Sequence, residues 1–146
     1  MGKLRRFFGK WQSLSNSGKL IFVKATACLL LVKAGLSLLP FATFRKLFHR
    51  LTSTKTVEEK SKAEIDQVVW AVDTAANLLP IELLCLPRAL ATKFLLRKIP
   101  ALTLEIGFEI NPAKSFEAHA WVERNGHIII GDWPDAISYK RLWVWE

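Results

Sequence analysis

A chain of 146 residues, 51% apolar and 23% charged, can form one domain with a packed core, and this composition excludes general disorder. Its net charge of +8 is unevenly spread: residues 1–57 carry eleven Lys/Arg and no acid, whereas residues 58–146 carry ten Lys/Arg against thirteen Asp/Glu. Two cysteines, Cys28 and Cys85, exclude a disulfide framework, and no CxxC or clustered Cys/His spacing offers a metal site.

In chain order, residues 1–11 are basic and aromatic, and residues 13–18 are polar and turn-like. Residues 20–39 read as an apolar helix ended by Pro40, and residues 42–51 as a second, basic helix. Lys24 and Lys33 interrupt the apolar run, and the stretch between them falls well short of the roughly 20 residues a bilayer span needs. They fall on opposite sides of a helix, so neither side is expected to be a clean lipid face. No small-residue cleavage site follows the run, which fits a signal peptide poorly. The expectation is a cytoplasmic protein with reduced thiols. Peripheral membrane contact through the basic helices is compatible with it. The acid-free segment suits an anionic surface or an acidic partner, and equally a merely solvated basic face. A Ser/Thr-rich stretch at 52–56 and the change of charge place a boundary near residue 57, between a basic helical region (1–56) and a core (57–146).

Ser61-Lys-Ala-Glu64 is a capping-box pattern. Ile65, Val68, Val69, Val72, Ala76 and Leu79 follow at helical spacing, and Pro80 stops the helix. Another helix is expected from Cys85 to about Lys98, with Pro87 in its first turn, where a missing N–H costs little. The period then changes to two. Leu102, Leu104, Ile106, Phe108 and Ile110 alternate with Thr103, Glu105, Gly107 and Glu109, which predicts a strand with one buried face. Residues 111–115 read as a loop. Residues 116–123 and 127–132 flank Asn125-Gly126, a strong hairpin signal, and residues 137–145 offer a further strand. Helices followed by an antiparallel sheet make the fold class α+β.

The hairpin carries a geometric expectation. With Asn125-Gly126 as a two-residue turn, Arg124 pairs with His127, and counting back sets His119 opposite Asp132. That is a non-hydrogen-bonded pair, with Cα atoms about 4.5 Å apart. A carboxylate there would hold one imidazole nitrogen and leave the other free, the arrangement of an orienter and a base. Cys85 is the available nucleophile, placed where a helix begins, because a helix N-terminus and a nearby imidazolium both favour the thiolate. Leu84, Leu86, Trp121 and Ile130 would exclude water around it. Taken singly, each residue has a plainer reading: Cys85 as core, His119 as structural, Asp132 as a turn former. Their combination favours a Cys-His-Asp enzyme. Asp135 is the alternative orienter if a bulge shifts the register, and His49 and His127 have no comparable context.

Three stretches carry a resemblance: Cys85-Leu-Pro-Arg-Ala-Leu-Ala91, then Ile106-Gly107-Phe108, then Ala118-His-Ala-Trp-Val-Glu123 with Asn125-Gly126. Together with Leu38-Leu-Pro-Phe41 and the segment around Trp70, the chain resembles the leader peptidases of lasso peptide biosynthesis over roughly residues 20–132. The resemblance implies a transglutaminase-like, papain-like core with Cys85, His119 and Asp132 as nucleophile, base and orienter. It also implies a precursor peptide cut between leader and core, a separate leader-recognition protein, and a separate cyclase that closes the macrolactam. No metal or organic cofactor and no nucleic acid is expected. Two other outcomes fit the same residues: acyl transfer or amide chemistry on a peptide, and a non-catalytic adaptor that uses the basic helices.

Overall fold

The computed structural model describes residues 2–53, 57–81, 83, 85–109, 118–131 and 139–145. Helices α1 (Gly2–Ser13), α2 (Asn16–Leu38), α3 (Phe41–Thr52), α4 (Lys62–Leu78) and α5 (Cys85–Leu95) come first. Strands β1 (Leu102–Glu109), β2 (Ala118–Arg124), β3 (His127–Ile130) and β4 (Tyr139–Trp145) follow. The strands form one antiparallel sheet in the order β3-β2-β1-β4, so the fold class is α+β, as the change of period predicts.

Local chemistry sets the helix ends. Ser15 caps α2 by accepting from the Gly18 N–H. Ser61 and Glu64 complete the capping box at the start of α4. Residues 1–11 carried no predicted element, yet α1 forms there. Phe7 and Trp11 pack on Phe22 of α2, Phe22 meets Trp70 of α4, and the Lys10 ammonium sits 4.7 Å from the Trp70 ring centre. Tertiary aromatic contacts therefore hold a segment too short to be a stable helix alone, through the apolar side of an amphipathic helix.

One apolar core runs through the helices and into the sheet. Ala25, Cys28, Leu29 and Val32 of α2 and Phe44 and Phe48 of α3 pack with Val68, Val72 and Ala75 of α4, Leu90 of α5 and Leu104 and Val122 of the sheet. The change of charge at residue 57 is thus not a gap in the core. The buried Lys93 of α5 donates to the Leu102 carbonyl at 2.6 Å, which ties the helix to the first residue of β1.

The sheet departs from the sequence expectation in two ways. Glu105, predicted to face solvent, is buried along with Glu123, so β1 and β2 are covered on both faces. The hairpin turn has positive φ at both Asn125 (53°) and Gly126 (81°), the type I′ geometry that matches strand twist. The pairing beyond it is not strict, however. Arg124 pairs with His127 and Glu123 with Ile128, but Val122 pairs with Ile130, so Ile129 is an extra residue. This bulge breaks the count that set His119 opposite Asp132. Asp132 and the alternative Asp135 lie outside the described residues, as do Leu84 and the loop at 111–115.

Candidate active site

Cys85 is the first residue of α5, where main-chain N–H groups have no partner in the preceding turn. His119 projects from β2, and the two meet: the His119 side chain hydrogen-bonds the Cys85 thiol. The main-chain N–H groups of Ala120 and of Cys85 itself lie near the sulfur and favour its charged form. Burial opposes ionisation of the half-buried thiol. The His119 hydrogen bond, the Ala120 N–H, the charge on the imidazole and the Cys85 N–H together outweigh it, and the Cys85 pKa lies below its ordinary value.

Cys28 shows the opposite balance. It is buried in α2, its Sγ lies 3.9 Å from the Ala91 carbonyl, and burial pushes its pKa up to about 11 against a small opposing effect of Arg97. This is the inert core thiol that its apolar context predicts.

The imidazole is held from behind by a group the sequence does not single out. His119 Nε2 hydrogen-bonds the main-chain carbonyl of Gly131. With Nε2 engaged there, Nδ1 is the nitrogen available to the thiol. Gly131 reaches this position with φ at +86°, and a Cβ there would lie 2.8 Å from the Ala120 oxygen and 3.0 Å from Trp121 Cβ. Both the backbone conformation and the close approach require glycine.

The His119 ring stacks on Trp121, with centroids 6.0 Å apart and planes 19° from parallel. Trp121 is fully buried, and its indole N–H donates at 2.8 Å to both Glu105 Oε2 and Glu123 Oε1. Gly107, with no side chain, pairs with His119 across the ladder, and Glu105 pairs with Trp121. Glu105, read from sequence as part of a solvent face, and Glu123 therefore fix the ring on which the imidazole rests.

Arg88 is a second residue that sequence reasoning left without a role. From the first turn of α5 its Nε donates to the Leu83 carbonyl (2.9 Å), Nη1 meets Asp73 Oδ1 (3.2 Å) and Nη2 donates to Asn77 Oδ1 (2.9 Å). It thereby ties the chain just before Cys85 to α4. The planar fork of arginine suits three separate acceptors. A cleft of about 390 Å³ opens over this region, lined by Asp73, Cys85, Arg88, His119, Ile130 and Gly131 among others. Only Cys85 and His119 of the three predicted site residues can be placed, and they are together.

The class that fold and site define is an α+β core with a helix-first thiol facing a strand-borne imidazole. A family model described as the transglutaminase-like superfamily matches residues 28–144, and the chain belongs to that superfamily. The match begins within α2, so it includes α3 and the shared helical core. No curated protein and no solved structure matches the chain significantly.

Proposed function

We propose that the protein is a cysteine peptidase that removes the leader from a ribosomally made lasso peptide precursor. It would act with a separate leader-recognition protein and before a cyclase joins the freed amine to a side-chain carboxylate. The observation that carries the peptidase reading is the hydrogen-bonded Cys85–His119 pair with its depressed thiol pKa. The motifs from Cys85 to Ala91 and from Ala118 to Glu123, which resemble those of lasso leader peptidases, favour this substrate.

In the proposed reaction the Cys85 thiolate attacks the carbonyl carbon before the core peptide, and the carbonyl electrons move onto oxygen. The main-chain N–H groups at the start of α5 are placed to receive that charge. His119 gives its proton to the departing core amine as the C–N bond breaks, leaving a thioester on Cys85. His119 then takes a proton from water, whose oxygen attacks the thioester and returns the thiol. The Gly131 carbonyl and the Trp121 face hold the ring in one orientation throughout. Asp132 is proposed as a further orienter.

The test is cleavage of precursor peptide in the presence of the recognition protein, read by mass spectrometry. Wild-type protein should release a leader that has gained water and a free core. Cys85→Ala and His119→Ala should each reduce the rate by at least about a thousandfold. Full cleavage by Cys85→Ala would refute the reading, and a leader joined to an added amine would make the chain an acyl transferase instead.

A further inference from the structure

We infer that α2 lies in the plane of an anionic lipid bilayer and immerses an exposed apolar face in it, which makes this protein a peripheral membrane protein. Asn16 and Ser17 in the first turn of α2 are exposed, and beyond them the exposed residues are Leu20, Val23, Lys24, Ala27, Leu30, Leu31, Ala34, Ser37 and Leu38. At about 100° per residue they occupy an arc of roughly 140°, and they run for about 27 Å along the axis. From Leu20 onward the exposed side chains in that arc are apolar except Ser37 and Lys24, and Lys24 stands at one margin. Lys33 stands just beyond the other. The two lysines therefore border the apolar face rather than divide it, which corrects the expectation that neither side is clean. Leu31 and Leu38 are 73% and 81% exposed, unusual for leucines in a folded domain.

By length and composition α2 suffices to cross a bilayer, with a mean hydropathy of 1.8. It is nevertheless held in the fold, because Ala25, Cys28, Leu29 and Val32 on its opposite face belong to the core shared with α4 and α5. Only one side remains for lipid, which suits an interfacial orientation and not a span.

The neighbouring helices complete the surface. On one flank α1 packs through Phe7 and Trp11 against Phe22. On the other, α3 packs its Phe44 ring against Gly35. Both helices are basic, and residues 1–57 hold no acid at all. Leu47 and Leu51 of α3 are exposed and share with Leu31 a groove of about 560 Å³, whose charged lining residues, Lys24 and Arg97, are both cations. An apolar centre with cationic edges complements acyl chains below a layer of anionic headgroups. This inference does not depend on the peptidase reading.

The experiment is co-sedimentation of the full chain with vesicles of phosphatidylcholine alone and of equal parts phosphatidylcholine and phosphatidylglycerol. Wild type should bind the mixed vesicles, and less strongly at high salt. Leu31→Glu with Leu38→Glu should lower the partition coefficient at least about tenfold. Lys24→Gln and Lys33→Gln should each lower it about fivefold on mixed vesicles alone. The milder pair Leu31→Ser with Leu38→Ser, carried alongside with a thermal melt, guards against misfolding. Absence of wild-type binding to either vesicle, or binding unchanged in the leucine variants, would overturn the inference. So would a leucine variant that turns a dimer into a monomer without altering vesicle binding, since the face would then join two copies of the chain.

Discussion

Two thiols in one chain report opposite surroundings, and their reactivity should separate them. Thiolate is the reactive form, so the alkylation rate follows its population. The Cys85 pKa is lowered despite burial, whereas that of Cys28 is raised to about 11. On raising the pH, Cys85 should therefore react with iodoacetamide first, with a midpoint lower than its ordinary value, while Cys28 stays protected in the folded state. His119→Ala removes a hydrogen bond and a charge but leaves the burial, so the Cys85 midpoint should move up. Peptide mass spectrometry across a pH series reads both residues at once, and an unshifted midpoint would mean that the imidazole does not govern the thiol. Arg88 belongs to the same scale. Its three bonds to Leu83, Asp73 and Asn77 hold the approach to Cys85, and Arg88→Lys retains the charge but not the fork. Slippage of the nucleophile should lower kcat by roughly tenfold to a hundredfold with little change in KM. A rise in KM alone would instead make Arg88 a substrate contact.

At the scale of elements, the site depends on where β3 stops pairing with β2. The extra residue Ile129 and the left-handed Gly131 turn the chain so that a main-chain carbonyl, and not the next rung of a ladder, faces His119. Gly131→Ala places a side chain at positive φ, worth about 1–2 kcal/mol, and drives it against the Ala120 carbonyl. The denaturation midpoint should fall accordingly, and cleavage should fall further than the stability loss explains, because the His119 support moves with the backbone. Ser61→Ala gives a contrast: loss of the α4 cap should cost about 1 kcal/mol and leave the pH profile untouched. The capping box and the Asn125-Gly126 turn were legible in the sequence because each is a local rule satisfied by adjacent residues. The bulge was not, because nothing in His127-Ile-Ile-Ile130 marks which isoleucine leaves the ladder. For the same reason the buried Glu105–Trp121–Glu123 contact was hidden: alternation along β1 assigns Glu105 to water, and only its cross-strand pairing with Trp121 reverses that.

At the scale of the molecule, charge and packing divide the chain differently. The sequence places its boundary near residue 57, where acids first appear. Charge is a surface property and reads easily along a chain, whereas shared burial is a relation between distant segments that periodicity alone does not reveal. Ala25, Leu29 and Val32 of α2 and Phe44 and Phe48 of α3 are buried in one cluster with the residues that support α5, the helix that presents Cys85. Removing residues 1–56 would uncover that side of α4 and α5. Each large apolar side chain so exposed forfeits about 1.5–3 kcal/mol, and two or three of them match the whole stability of a small domain. The fragment 57–146 should therefore lack a cooperative thermal transition. Removal of residues 1–14 takes away only α1 and its aromatic contacts at Phe22 and Trp70, and should lower the melting temperature while keeping a single transition and the reactive Cys85. Comparing melts and iodoacetamide labelling of the two truncations separates the cases. A cooperative 57–146 fragment with a reactive thiol would mean that the basic helices are an appendage, and that the continuity of the core across residue 57 contributes little to holding the site.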